Sequence, residues 1–336
     1  MSAASGRGRI VAGAIGVLTV IGAALAIAGV FSAEDEAEEA PSADTDLGSI
    51  AAPDPAPPPP QPQVRRYAVG GRPDTISAGA GYVWAADSLG GRLQRINPAS
   101  KQPIAVDAAG FPTDVSAGEG AAWLALADRG AVQRVTGTEG AGEPIDVEGF
   151  PFQIAAGEGS VWAMSQTSVE RIDPLAEQAA PPVELGREAS AIAAGEGGIW
   201  VAGSNRVVLK LDPGNGETSA TIDVPGAFNV TVGESAVWVL GASAGKGAGG
   251  TLTRIEPAGA VAGDPIPVAA AVDVAAGLGF VWVTDVGGKL TRYDTATGAP
   301  VGDPIDVGRE PQSLSVGEGS VWVAAAGEGT VFRITP

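Results

Sequence analysis

Val316–Ala324 reads VGEGSVWVA, and Thr330–Thr335 follows it with TVFRIT. An apolar run meets a Gly-Glu-Gly turn and returns as a second apolar run holding a tryptophan, which is the pattern of a β-hairpin with a tight turn. The same word stands at six earlier places: AGAGYVWAA (78–86), AGEGAAWLA (117–125), AGEGSVWAM (156–164), AGEGGIWVA (194–202), VGESAVWVL (232–240) and AGLGFVWVT (276–284). All seven tryptophans of the chain lie in these words, at Trp84, Trp123, Trp162, Trp200, Trp238, Trp282 and Trp322, spaced 39, 39, 38, 38, 44 and 40 residues apart. A period near 40 in a strand-rich sequence marks a propeller blade.

Each hairpin is followed by a third strand of the type RLQRIN (92–97) or TLTRIE (251–256), and then by a fourth such as PIAVD (103–107), TIDVP (221–225) or PIDVG (304–308). Four antiparallel strands complete one blade. The seventh repeat ends on its third strand, and VRRYAVGG (64–71) stands before the first hairpin where every other repeat has its fourth strand. The expected fold is therefore all-β: a seven-bladed propeller of four-stranded antiparallel blades over 64–336, with its ring closed by the N-terminal strand. One insertion, GASAGKGAGG (241–250), lengthens a loop of blade five.

Ahead of the repeats, Ile10–Phe31 is a run of uncharged, mostly apolar residues, preceded by Arg7 and Arg9 and followed by Glu34, Asp35, Glu36, Glu38 and Glu39. About 20 such residues cross a bilayer as a helix, and the arginines place residues 1–9 in the cytoplasm and the propeller outside. A cleaved signal peptide is the alternative, since Ala24-Leu25-Ala26 fits a cleavage site. Residues 32–63 are acidic and then proline-rich, a composition that cannot bury a core and reads as an extended stalk.

The chain has no histidine and no cysteine among 336 residues, and its net charge is −19. Those absences exclude Ser-His-Asp and Cys-His nucleophiles, thiol redox chemistry and ordinary zinc sites. The first 63 residues hold 2 basic and 8 acidic side chains of the 20 and 39, leaving 18 and 31, a net −13, for the repeats. Such acidity argues against nucleic acid as a partner. No cofactor is expected.

The repeats GEGSVWVA, TVFRIT and PIDVG resemble the bacterial YVTN, NHL and streptogramin-lyase-like propeller superfamily over residues 64–336. That resemblance implies the propeller fold and leaves function open. The lyases within it depend on a histidine and a divalent metal, and this chain has no histidine.

Residues repeated in every blade read as scaffold: the tryptophans as wedges between blades, and the turn glutamates Glu119, Glu158, Glu196, Glu234 and Glu318 as solvated turn charges. Function is sought where the blades differ. The loops entering each blade and those joining its second and third strands emerge on one face, and the former read GGRPDT, AGFPTD, EGFPFQ, GREASA, PGAFNV, AAAVDV and GREPQS. They bring Arg72, Phe111, Asp114, Phe150, Gln153, Arg187, Phe228, Asn229, Asp273 and Arg309 to the rim of the central channel. Arginine, aromatic and amide groups mixed in this way suit a peptide or small polar ligand, and a plain water-filled mouth is the alternative. The leading expectation is a noncatalytic, membrane-tethered propeller binding a protein, peptide or envelope ligand outside the cytoplasm. The second is a carboxylate-based lyase or hydrolase holding a divalent ion at Asp114 and Asp273.

Overall fold

A computed structural model of the protein describes residues 62–336 apart from 101, 204–205 and 243–248. The membrane-span reading of 10–31, nearly all of the stalk and most of the blade-five insertion lie outside the described residues. No helix among the described residues is long and apolar enough to cross a membrane.

The protein is a seven-bladed β-propeller. Blade one runs Thr75–Gly79, Tyr82–Asp87, Arg92–Ile96 and Ile104–Val106, each strand antiparallel to the next. The other blades repeat this order, and in blade three the outer strand is split into Gln178–Ala179 and Val183–Glu184. Blade seven takes its outer strand from the other end of the repeats: Gln63–Ala68 pairs antiparallel with Thr330–Thr335, from Gln63 opposite Thr335 to Ala68 opposite Thr330. This joint removes what would otherwise be two open strand edges.

The hairpin turns leave two central residues with positive φ, such as Glu119 at 49° and Gly120 at 79°. This is the type I′ geometry whose twist matches that of the flanking strands. At the inner end of each blade the backbones converge. A Cβ on Gly118 would lie 2.8 Å from the carbonyl oxygen of Ala156 in the next blade, and one on Gly317 would lie 2.4 Å from that of Ala78. Glycine at these positions is what allows the blades to meet around a narrow channel.

The core lies in seven clusters, each shared by two adjacent blades. Trp123, Ala125, Val132 and Ile145 of blade two pack on Ile154, Val161, Ala163 and Ile172 of blade three. Every tryptophan is at most 1% exposed, so each indole fills the gap between two sheets. Opposite each tryptophan on the third strand stands a base, Arg95, Arg134, Arg171, Lys210, Arg254, Arg292 or Arg333. Several of these bases reach the next blade: Lys210 Nζ donates to the Pro257 carbonyl at 2.7 Å, Arg333 Nη1 to that of Pro98 at 2.7 Å, and Arg95 to that of Gly137. In these three blades the recurring base is a link to the next blade.

The residue that opens the second strand decides how well this base is satisfied. Where it is Ser160 or Ser320, its hydroxyl accepts the Nε–H of Arg171 or Arg333 at 2.8 Å. Where it is Tyr82 or Phe280, the guanidinium of Arg95 or Arg292 lies over the ring, 4.9 and 5.2 Å from the centroid. Where it is Ala121 or Ala236, the buried Nε of Arg134 or Arg254 has no partner among the described residues. A buried donor without an acceptor costs about 1–3 kcal/mol. Replacing both alanines with serine should therefore raise the urea midpoint, by about 1 kcal/mol per site before the cost of burying the hydroxyl is deducted. A midpoint that stays put or falls would show that the two guanidiniums are already satisfied.

The turn glutamates also have structural partners, which corrects their reading as free solvated charges. Glu119 accepts the backbone N–H of Gly159 at 3.1 Å, Glu158 that of Gly197 at 3.0 Å, Glu196 that of Ser235 at 3.1 Å, Glu234 that of Gly279 at 3.0 Å and Glu318 that of Gly81 at 3.0 Å. Each staples its turn to the turn of the next blade. Blades one and six have Ala80 and Leu278 in this place and lack the staple.

Candidate functional site: the channel mouth and its rim

An innermost strand has a neighbour on one side only, so alternate backbone N–H groups along it face the channel and need acceptors. Side chains from the preceding blade supply them. At the first tier, Asp114 Oδ2 accepts Ile154 N at 3.0 Å, Gln153 Oε1 accepts Ile192 N at 3.1 Å and Asp273 Oδ2 accepts Leu314 N at 2.6 Å. One tier further in, Ser77 accepts Ala117 N at 2.9 Å, Ser116 accepts Ala156 N at 3.0 Å and Ser315 accepts Ala78 N at 3.0 Å. A channel of about 310 Å³ is lined by Ser77, Ser116, Ser315 and Asp273, and a mouth of about 210 Å³ is bordered by Thr75, Asp114, Gln153, Asn229, Asp273 and Ser313.

The two carboxylates of the mouth have matching surroundings. Asp114 Oδ1 accepts the Thr75 hydroxyl at 2.6 Å and Val115 N at 2.8 Å, while Asp273 Oδ1 accepts Asn229 Nδ2 at 2.6 Å and Val274 N at 2.8 Å. Counting the bonds to Ile154 and Leu314, each aspartate ties three consecutive blades together: one to three around Asp114, five to seven around Asp273. Burial pushes the Asp114 carboxyl up to about 6, against the opposing pull of Thr75, Ile154 and Val115 and with help from the charge of Asp273. Burial likewise raises Asp273, against bonds from Leu314, Val274, Asn229 and Ser313.

These partners limit what the mouth can do. Both oxygens of each aspartate already accept backbone or side-chain donors, and these compete with a divalent ion for the carboxylate lone pairs. Among the described residues, no three acidic side chains converge as a metal-ligating group. The geometry gives this tier bonds between blades together with a polar lining that faces the mouth.

The remaining candidates separate into exposed and packed groups. Phe111 is 50% exposed and Phe150 is 74% exposed. Both sit in Gly-Phe-Pro loops, entering blades two and three, and the Thr113 hydroxyl of the first loop donates to the Pro151 carbonyl of the second at 3.1 Å. Arg72 is exposed and pairs with Glu310 at 2.7 Å, and Arg309 is exposed and lies 3.8 Å from Glu328. Arg187 is half-buried, and among the described residues its buried Nε has no partner. Phe228 packs against the core shared by blades five and six and is not a free rim aromatic. Leu89, 81% exposed in the second-to-third-strand loop of blade one, extends the apolar part of the rim. The Phe111 ring covers Gly91 in that same loop. Sequence reasoning missed Leu89 because it surveyed only the loops between blades, although an apolar residue between Ser88 and two glycines was a visible signal.

No family model matches the chain, and no curated protein matches it in sequence. In structure it is similar to the hydrazine synthase of Kuenenia stuttgartiensis, with a TM-score of 0.66 and 13% identity over 79% of this chain and 95% of that one. It is also similar to the Pan2 WD40 domain of Neurospora crassa, with a TM-score of 0.63 and 12% identity over 79% and 89% of the two chains. A chain of the Mitotic Checkpoint Complex aligns at 0.66 and 12% over 86% and 99%. At these identities the likeness is one of fold.

Proposed function

We propose that this protein is a noncatalytic propeller, tethered to the membrane by residues 10–31, that binds a protein, peptide or other envelope ligand on the face carrying its inter-blade loops. Its repeats are of the kind found in bacterial YVTN and NHL propellers. The observation that carries the reading is the division of labour on that face. The carboxylates, the group most able to do acid-base work in a chain without histidine or cysteine, are engaged between blades at Asp114 and Asp273. Phe111, Phe150 and Arg309 instead stand out from the rim, and aromatic and arginine side chains dominate binding hot spots. An acidic propeller carried on an acidic, proline-rich stalk suits capture of a ligand at a distance from the bilayer.

The test is capture from a crosslinked cell envelope, using the pellet that survives an alkaline carbonate wash so that recovery also tests the anchor. Wild-type protein should stay in the pellet with a defined partner. Replacing Arg72, Phe111, Phe150 and Arg309 together by alanine should reduce capture at least tenfold while leaving the thermal midpoint nearly unchanged, because exposed substitutions cost little. Equal capture by the variant would move the site off this face, and release of wild type by carbonate would remove the anchor.

A further inference from the structure

A propeller has one outer strand per blade, and each presents unpaired N–H and C=O groups to solvent unless something blocks them. The seven outer edges can be compared position by position, because the residue in register before the buried inward-facing position of each fourth strand points its backbone outward. In blade two, Ile145 pairs with Val132 and Val147 N bonds the Gly130 carbonyl, which turns Pro144 outward. The same reasoning turns Pro182 outward in blade three, Pro265 and Pro267 in blade five and Pro304 in blade six. A proline there has no N–H to offer. Blade one has an outer strand of three residues, Ile104–Val106, with Pro103 beside it. Blade seven has Arg66 in this place, next to Arg65, and charge on an edge also discourages pairing.

Blade four has neither proline nor charge at this position, and its one edge charge, Asp223, stands at the end of the strand. Its outer strand, Thr218–Asp223, is six residues long and holds no proline and no charge before Asp223. Val224 N bonds the Arg206 carbonyl and Ile222 pairs with Val208, so the amides of Thr221 and Asp223 face outward. Both residues are exposed, and among the described residues neither amide has a partner.

We infer that the outer edge of blade four is a β-augmentation site that takes an extended, uncharged or basic segment of a partner protein as a fifth strand. Main-chain hydrogen bonds to Thr221 and Asp223 would hold the segment, as in other cases of strand addition. The carboxylates Glu217 and Asp223 flank the edge, and the propeller carries a net −13 (18 basic, 31 acidic), so an acidic strand would be repelled. A second copy of this chain fits less well. Two convex propeller rims would meet along one strand of about 20 Å, short of the roughly 1,200 Å² that stable interfaces bury. This site is separate from the channel face and does not depend on the reading proposed for it.

Two variants copy solutions the protein already uses at equivalent positions: Thr221→Pro, as in blades two, three, five and six, and Thr221→Arg, as in blade seven. A randomised ten-residue display library panned on the full-length protein, with counter-selection on Thr221→Pro, should enrich neutral or basic peptides with extended backbones. These should slow hydrogen exchange at the amides of Thr221 and Asp223 and bind both variants at least tenfold more weakly in fluorescence polarisation. Enriched peptides that bind both variants as tightly, or that protect Phe111 and Phe150 instead, would overturn the inference. So would failure to enrich any discriminating peptide. A wild-type dimer in sedimentation that Thr221→Pro dissociates would make the occupant a second copy and overturn the assignment of a partner strand.

Discussion

Replacing Tyr67 by alanine should destabilise the propeller by about 3–5 kcal/mol, the range for emptying a large buried aromatic site. Tyr67 is 1% exposed on the closing strand, and its ring centroid lies 5.7 Å from that of Trp322. It packs in the cluster that joins blade seven to blade one, with Ile76, Val83, Ala85, Ile96 and Val331. Tyr67 lies on the closing strand, which pairing and packing alone hold to Thr330–Thr335, so a cavity here loosens the closure of the ring. The conservative partner should behave oppositely. Among the described residues the buried Tyr67 hydroxyl has no hydrogen-bond partner, so Tyr67→Phe removes an unsatisfied group and keeps the ring. Its stability should equal or exceed that of the wild type. Urea midpoints for the two variants check both statements, and equal losses would mean that the hydroxyl has a partner or that the ring contributes little.

Acidification from pH 7.5 to 5 should raise the thermal midpoint of the propeller. Three carboxyls have folded-state pKa values above their ordinary ones: Asp114 and Glu170, each pushed by burial to about 6, and Asp273, raised for the same reason. Between the unfolded value near 4 and the folded value near 6, the folded state holds more protons, so stability falls as pH rises through that window. For Asp114, moving from 3.8 to about 6 corresponds to at most about 3 kcal/mol, and contact with channel water reduces it. Asp173, Asp294 and Asp306 are held low, chiefly by backbone N–H donors. Their contribution is present above their unfolded value and is lost only as pH falls below about 4, outside the tested range. Asp114→Asn should flatten the slope between pH 7.5 and 5. A midpoint that falls on acidification in the wild type, or an unchanged slope in the variant, would show that these carboxyls are ionised in the folded state near their ordinary pKa.

Much of the architecture was legible in the chain because it is stated seven times. Trp84 to Trp322 count the blades, since each interface must be filled by one large apolar side chain. The missing fourth strand after Thr335, set against an extra one at Val64–Gly71, gave the closure by simple accounting. The candidate site was less legible, for physical reasons that differ by residue. Phe111 and Phe150 could be placed on the rim because proline after phenylalanine and glycine before it define an exposed loop. Phe228 sits in the equivalent stretch, but whether a rim phenylalanine turns outward or into the neighbouring sheet depends on the space left by blade six.

Short-range pattern and composition settled what depends on the local chain: alternation, turn glycines, the number of repeats and the lack of histidine and cysteine. The partners of each polar group depended on the folded ring. Glu119 reaches Gly159, Asp114 reaches Ile154 and Lys210 reaches Pro257, all about one blade away in sequence. A contact over some 40 residues exists only once the sheets are set around the channel. The same holds for Thr221. Its difference from the prolines at equivalent positions is visible in the sequence, but that its amide faces outward was decided by the pairing of Ile222 with Val208, because a strand alternates its hydrogen-bonding direction residue by residue and the register alone says which direction is free.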